Sequence, residues 1–140
     1  MRELTFQAWD KKRQEMFQVI EMSFEKDRPL VLSNGAFRIH RSLKDVELRE
    51  FIGVYDSTEW DELKAEEKLH WKARGKTPKE WTGQPIYEGD RVRYEWYDLG
   101  KRSCVGVIVF RKGAFVICHK GSFYSLTYKT IKIIGDVYRG

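Results

Sequence analysis

The chain has 140 residues, of which 41% are hydrophobic, 14% aromatic and 34% charged, with a net charge of +5. That is enough chain for one folded domain with a sizeable core, and no apolar run approaches the ~18 residues of a membrane span. The opening Met1-Arg2-Glu3-Leu4-Thr5-Phe6 has neither an apolar h-region nor a cleavage site of small residues, so the expectation is a cytoplasmic protein. Charge is unevenly spread: residues 91–140 hold 10 Lys/Arg and 3 Asp/Glu, a balance of +7, while residues 1–90 hold 16 and 18, a balance of −2. A basic half beside a slightly acidic one points to a polyanion surface or a head-to-tail protein contact.

Leu4, Phe6 and Ala8 alternate with Thr5, Gln7 and Trp9, which predicts a strand. Asp10 to Gln14 is a polar turn into a returning strand over Met16 to Phe24. Leu30 to Leu32 and Phe37 to Ile39 form a second hairpin around Ser33-Asn34-Gly35, because Asn-Gly accepts the positive φ of a tight turn. Leu48 to Tyr55 is a further strand. A helix is predicted from Thr58 to Arg74: Glu59, Asp61 and Glu62 load its first turn, Lys72 and Arg74 its last, and Gly75 supplies the stop. Its apolar face is narrow and broken by charge, which places it on the surface. Thr77-Pro78-Lys79-Glu80 has capping-box spacing with proline at the first helical position and predicts a second, very short helix.

The segment Tyr87-Glu88-Gly89-Asp90 is a turn in which Gly89 takes a positive φ and Asp90 bonds back to the turn's own backbone. Beyond it the chain is all strand: Arg91 to Tyr97, Cys104 to Phe110, Ala114 to Cys118, Ser122 to Tyr128 and Ile131 to Tyr138. Arg111-Lys112-Gly113 is short enough to force antiparallel pairing of its neighbours. Five strands in about 50 residues suit a closed SH3-like barrel, since closure removes exposed edges. The expected fold is therefore mainly β with a short helical insertion. A strand-rich N-terminal region spans 1–56, the helical insertion 57–81 and a C-terminal SH3-like β-barrel 82–140, the barrel forming one compact unit with the N-terminal region.

Three stretches carry a family resemblance. They are Arg2-Glu3-Leu4-Thr5-Phe6-Gln7-Ala8-Trp9-Asp10-Lys11 with Met16-Phe17, Pro85-Ile86-Tyr87-Glu88-Gly89-Asp90-Arg91-Val92, and Ile133-Ile134-Gly135-Asp136-Val137-Tyr138. In this order and spacing the chain resembles the YopX family of phage and prophage proteins. The resemblance implies a phage or prophage origin and a C-terminal SH3-like barrel, and it brings no activity and no functional residues with it. The chain departs from the family pattern in the centre. There, the stretch from about Ser57 to Trp81 stands between Phe51-Ile52-Gly53-Val54-Tyr55 and the Tyr-Glu-Gly-Asp turn.

Catalysis calls for a nucleophile with a base, or for paired carboxylates in a cleft. His40, His70 and His119 are isolated in three different elements, and His119 and Cys118, as strand neighbours, point to opposite faces. Cys104 and Cys118 flank a hairpin and are able to share a face, but a reducing compartment favours free thiols. No metal-ligand spacing and no phosphate loop occurs, so the expectation is a binding protein without cofactor or metal, and not an enzyme. Its candidate nucleic-acid site consists of Arg91, Arg93, Lys101, Arg102, Arg111, Lys112, Lys120 and Lys129 for phosphates, with Tyr94, Trp96 and Tyr124 for base stacking. Lys132, Tyr97, Phe123 and Tyr128 lie in the same stretch. The plainer alternative is that these aromatics build a core and the cations keep it soluble. A third is protein association, with a host or phage protein or in a homo-oligomer that pairs the basic half with the acidic one.

Overall fold

The computed structural model describes residues 6–23, 30–97, 101–127 and 129–139, apart from the side chains of Tyr97 and Lys101. Eleven strands follow in chain order: β1 (Phe6–Asp10), β2 (Glu15–Met22), β3 (Leu30–Ser33), β4 (Arg38–Arg41), β5 (Val46–Tyr55), β6 (Pro85–Tyr87), β7 (Asp90–Tyr97), β8 (Lys101–Arg111), β9 (Ala114–His119), β10 (Ser122–Tyr124) and β11 (Thr130–Asp136). One helix, α1 (Ala65–Ala73), lies between β5 and β6. The fold is mainly β, as the alternating pattern predicts. It consists of a six-stranded sheet in the order β4-β3-β2-β1-β5-β6 and a five-stranded sheet in the order β10-β9-β8-β7-β11, antiparallel throughout. Among the described residues no helix is long and apolar enough to cross a membrane.

The first sheet curls around Ala8, Phe17, Leu30, Leu32 and Val46. Asp10, fully buried at the β1–β2 turn, shows how far it curls. Its carboxylate accepts Arg13 N at 3.2 Å and both Nε and Nη2 of Arg41 at 2.9 and 3.3 Å. Arg41 ends β4, which stands three places from β1 in the sheet. A bidentate pair between them therefore ties the edge strand back onto β1.

The second sheet gathers Val92, Tyr94, Ile108, Ile117 and Ile131 on its inner face, and Ile52 of β5 and Ile86 of β6 join them from the first sheet. Its strand order is a four-strand meander with β11 returning to pair with β7, the order that the barrel expectation requires. Tyr94 of β7 and Tyr124 of β10 approach to 6.1 Å between ring centroids across the two intervening strands, so the sheet is rolled. It is not closed. β10 has only three residues, ends at Tyr124 rather than Tyr128, and forms no ladder with β11 among the described residues. Rolling brings backbones close at Gly106, where a Cβ would lie 2.5 Å from Ile117 Cγ2 and 2.8 Å from the Cys118 carbonyl oxygen.

The insertion differs from its expectation. Helix is confined to Ala65–Ala73, because Leu63 turns inward to a buried position with extended backbone and interrupts the run from Thr58. Trp60–Glu62 is a single 3₁₀ turn. Gly75, at φ +77°, stops the chain as predicted, and Thr77 with Glu80 forms the expected capping box around Pro78. Since α1 buries nothing of its own, tryptophans hold the unit together: Trp81 packs edge-on against Trp60 and Trp71 at 6.3 and 5.0 Å. Their indoles donate to the carbonyls of Thr58 (from Trp81) and Thr77 (from Trp71).

Where the insertion meets the sheets, Asp56 is buried and fully satisfied. Oδ1 accepts Thr58 N and Gln84 N at 3.0 and 2.7 Å, and Oδ2 accepts Thr58 Oγ1 and Ile133 N at 2.8 and 3.1 Å. Ser57 N donates to the Ile131 carbonyl at 2.6 Å, and Ile131 N to Ser57 Oγ at 3.1 Å. The free edge of β11 is thus covered by residues 56–57, which blocks edge-to-edge pairing there.

The two sheets are joined at the Tyr87–Asp90 turn. Gly89 has φ +89°, and Asp90 Oδ2 accepts Tyr87 N at 2.8 Å, as the sequence predicts. Asp90 Oδ1 is also paired with Arg49 Nη1, both side chains being over nine-tenths buried. Arg49 Nε donates to Gln7 Oε1 at 2.9 Å, and the rings of Tyr87 and Tyr138 lie 5.0 and 5.9 Å from its guanidinium carbon. Burial pushes Asp90 above the ordinary carboxylate range, and Arg49 opposes that push. Breaking one partner of such a pair leaves a buried charge and costs roughly 3–5 kcal/mol. Arg49→Met and Asp90→Leu are each expected to lose about that much in urea unfolding, and the double variant less than their sum; strict additivity would refute the coupling. Gly106→Ala, which overpacks the β8–β9 contact, is expected to cost about 1–3 kcal/mol.

Candidate nucleic-acid interface

Strand register assigns the eleven expected residues to different places. Val92, Tyr94 and Trp96 of β7 lie opposite Gly106, Cys104 and Arg102 of β8, and registered partners share a face. This is the inner face. It continues through Ile117 and His119 of β9 to Ser122 and Tyr124 of β10. The outer face carries Arg91 and Arg93, then Val105, Val107, Val109 and Arg111, then Val116 and Cys118, then Phe123. Glu95 stands beyond Arg93 in the same row.

Tyr94 is not available for base stacking. It is 1% exposed and forms the floor of the inner face, because the rolled sheet needs a large side chain to fill its centre. Around it stands a rim that is half open to solvent. Trp96 stacks on Tyr94 at 5.3 Å with rings inclined by 17°, Tyr124 packs from β10, and His119 meets Tyr94 edge-on at 6.5 Å. His119 is held by Nδ1 against the Val105 carbonyl at 2.7 Å. Arg102, opposite Trp96, and Lys120, next to His119, are exposed. The rim therefore combines two aromatic faces, an imidazole and Arg102, and Lys120 stands exposed in the turn that follows His119.

The other cations are elsewhere. Arg91, Arg93 and Arg111 project from the outer face, and Arg111 lies over Phe123 at 3.8 Å. Lys112 and Lys120 occupy the turns at opposite ends of β9, each with positive φ, so they do not form one cluster. Lys129 is half-buried, with Nζ 3.5 Å from the Thr127 carbonyl. Lys132 is bound to Glu62 at 2.7 Å and is not free for a phosphate. The Lys101 and Tyr97 side chains and Tyr128 lie outside the described residues. Cys104 and Cys118 are free thiols on opposite faces of the sheet, contrary to the shared face that the hairpin spacing allowed.

Arg13, Arg41 and Arg49 each face a carboxylate, whereas Arg91, Arg93, Arg102, Arg111, Lys112 and Lys120 have no carboxylate partner among the described residues. The importance of His119 was hidden in the sequence, because only register places it beside Tyr94. A cleft of about 770 Å³ opens between the insertion and β7–β11, lined by Leu63, Glu67, Arg93, Glu95, Lys132 and Ile134 among others. Its mixture of charges makes it a poorer site for a polyanion than the rim.

No family model matches the chain, and no curated protein matches it significantly. Among solved structures it is similar to the crystal structure of protein EF1440 from Enterococcus faecalis, with 14% identity, a TM-score of 0.54, and coverage of 99% of this chain and 96% of that one. At that identity the likeness concerns the fold.

Burial lifts the Tyr94 phenol to about 12, with Cys104 and Tyr124 acting in the same direction. An unfolded tyrosine titrates near 10, so between about pH 10 and 12 the unfolded chain loses a proton that the folded one keeps. The stability contributed by this group is complete below pH ~10 and is lost as the pH rises through ~12. Burial raises Tyr87 and Tyr138 in the same direction. The stability advantage of wild type over Tyr94→Phe, from urea midpoints at pH 9 to 12, is expected to shrink as pH rises. A constant difference would rule out the shift.

Proposed function

We propose that the protein is a binding protein, not an enzyme, and that it takes single-stranded nucleic acid across the rim of Trp96, Arg102, His119, Lys120 and Tyr124. The observation that carries this reading is the juxtaposition of half-exposed aromatic faces with cations that have no carboxylate partner. Unpaired Arg and Lys release counterions when they meet phosphates, and half-exposed Trp and Tyr offer stacking faces that only unstacked bases can use. The choice of a single strand over a duplex rests on this second point. On the sequence resemblance alone, we also read the chain as a phage or prophage protein of the YopX kind.

The test is fluorescence anisotropy with labelled single-stranded DNA, duplex DNA and RNA at low and moderate salt. Trp96→Ala and Tyr124→Ala are each expected to weaken single-strand binding roughly tenfold, from the ~1–3 kcal/mol worth of one stacked base. The Arg102→Glu, Lys120→Glu double variant, altered only at exposed positions, is expected to abolish binding at moderate salt. Unchanged affinity in that folded double variant, or no binding by wild type at low salt, would overturn the proposal.

A further inference from the structure

The outer face of the second sheet is not used by the rim. Its centre is aliphatic: Val105 is 41% exposed, and Val107, Val109 and Val116 are partly exposed. Its border is arginine, from Arg91 and Arg93 on one side and from Arg111 laid over Phe123 on the other. Apolar centres with arginine and aromatic anchors are the composition of protein interfaces, where lysine is depleted. A matching surface has to be acidic at corresponding points, and the chain contains one. Residues 57–67 hold five acidic residues and one lysine, a balance of −4. Glu59, Asp61 and Glu66 are exposed and without ion pairs among the described residues. Within one molecule, Glu62 of this segment already bonds to Lys132 on β11, so its carboxylates and the cations of this sheet are compatible at close range.

We propose that the outer face of the second sheet is a self-association surface that receives the acidic segment 57–67 of a second copy. Acceptor and donor border each other in one molecule, since the cleft between them is lined by Glu62 and Glu67 on one side and Arg93 on the other. Two copies related by a two-fold axis therefore make the contact twice, and the assembly closes as a dimer.

The experiment is light scattering on a sizing column at about 50 mM salt, with wild type, an Arg91→Glu, Arg93→Glu, Arg111→Glu variant, and a Glu59→Lys, Asp61→Lys, Glu66→Lys variant. All six positions are exposed, and circular dichroism checks the fold. Wild type is expected to run as a dimer that weakens as salt rises. Each variant alone, like-charged across both contacts, runs as a monomer, and an equimolar mixture of the two restores the dimer. A monomeric wild type, a dimer in either variant alone, or a mixture that stays monomeric overturns the proposal. The arginine variant retains the rim, so its nucleic-acid affinity separates a failure of this proposal from a failure of the previous one.

Discussion

The arrangement of the two sheets depends on the buried contact between Arg49 and Asp90. Each sheet has a core of its own, and among the described residues Ile52 and Ile86 are the buried side chains of the first sheet that join the core of the second. What fixes their relative placement is a polar joint. The guanidinium spans Gln7 of β1 and Asp90 of β7, and the turn that presents Asp90 is itself bonded to three elements. Glu88 N donates to Glu50, Gly89 N to Ile108, and Val137 N to the Gly89 carbonyl. Tyr138 closes the joint from outside by stacking on Trp9 at 5.9 Å. A buried ion pair adds little net stability over a well-packed apolar substitute. Its directional bonds nonetheless penalise any other docking angle, and that is the physical role it has here.

Local signals made much of this legible. The Tyr87–Asp90 turn, the hairpins and the capping box at Thr77 depend on φ values and on bonds within a few residues, and the structure contains them. Arg49 was not legible. It stands among Glu47, Leu48 and Glu50, and only tertiary docking buries its side chain on the face of β5 opposite Val46 and Ile52. The helix was overextended for a related reason: charges ordered along its dipole outweighed one inward-turning leucine at position 63. Closure of the barrel failed where the β10–β11 connection takes up residues that the pattern had assigned to strand.

The site was half legible. An excess of cations in residues 91–140 is a matter of counting, but counting does not say which of them are neutralised or which lie together. Register does. It removes Tyr94 into the core and sets Arg102 on the inner face with the aromatics and Arg91, Arg93 and Arg111 on the outer face with the valines, while the docked insertion pairs Lys132 with Glu62. A surface that looks continuous in sequence is thus two surfaces of different chemistry, back to back on one sheet.

The insertion is attached in a way that has a consequence for how such a chain can change. Tyr55 of β5 and Pro85 of β6 are register partners, and Asp56 and Gln84 are hydrogen-bonded to each other just beyond them. Residues 57–83 thus leave and rejoin the frame through one narrow neck, as the tip of a hairpin. Extending a closed loop costs little extra entropy, and this tip holds itself together with its own tryptophans. The neck is therefore a socket: what is plugged into it can be enlarged, trimmed or exchanged while both cores stay as they are. Novelty in this architecture can accumulate at the outer end of one hairpin, beyond the Ser57, Glu62 and Leu63 contacts that seat the insertion on the sheets.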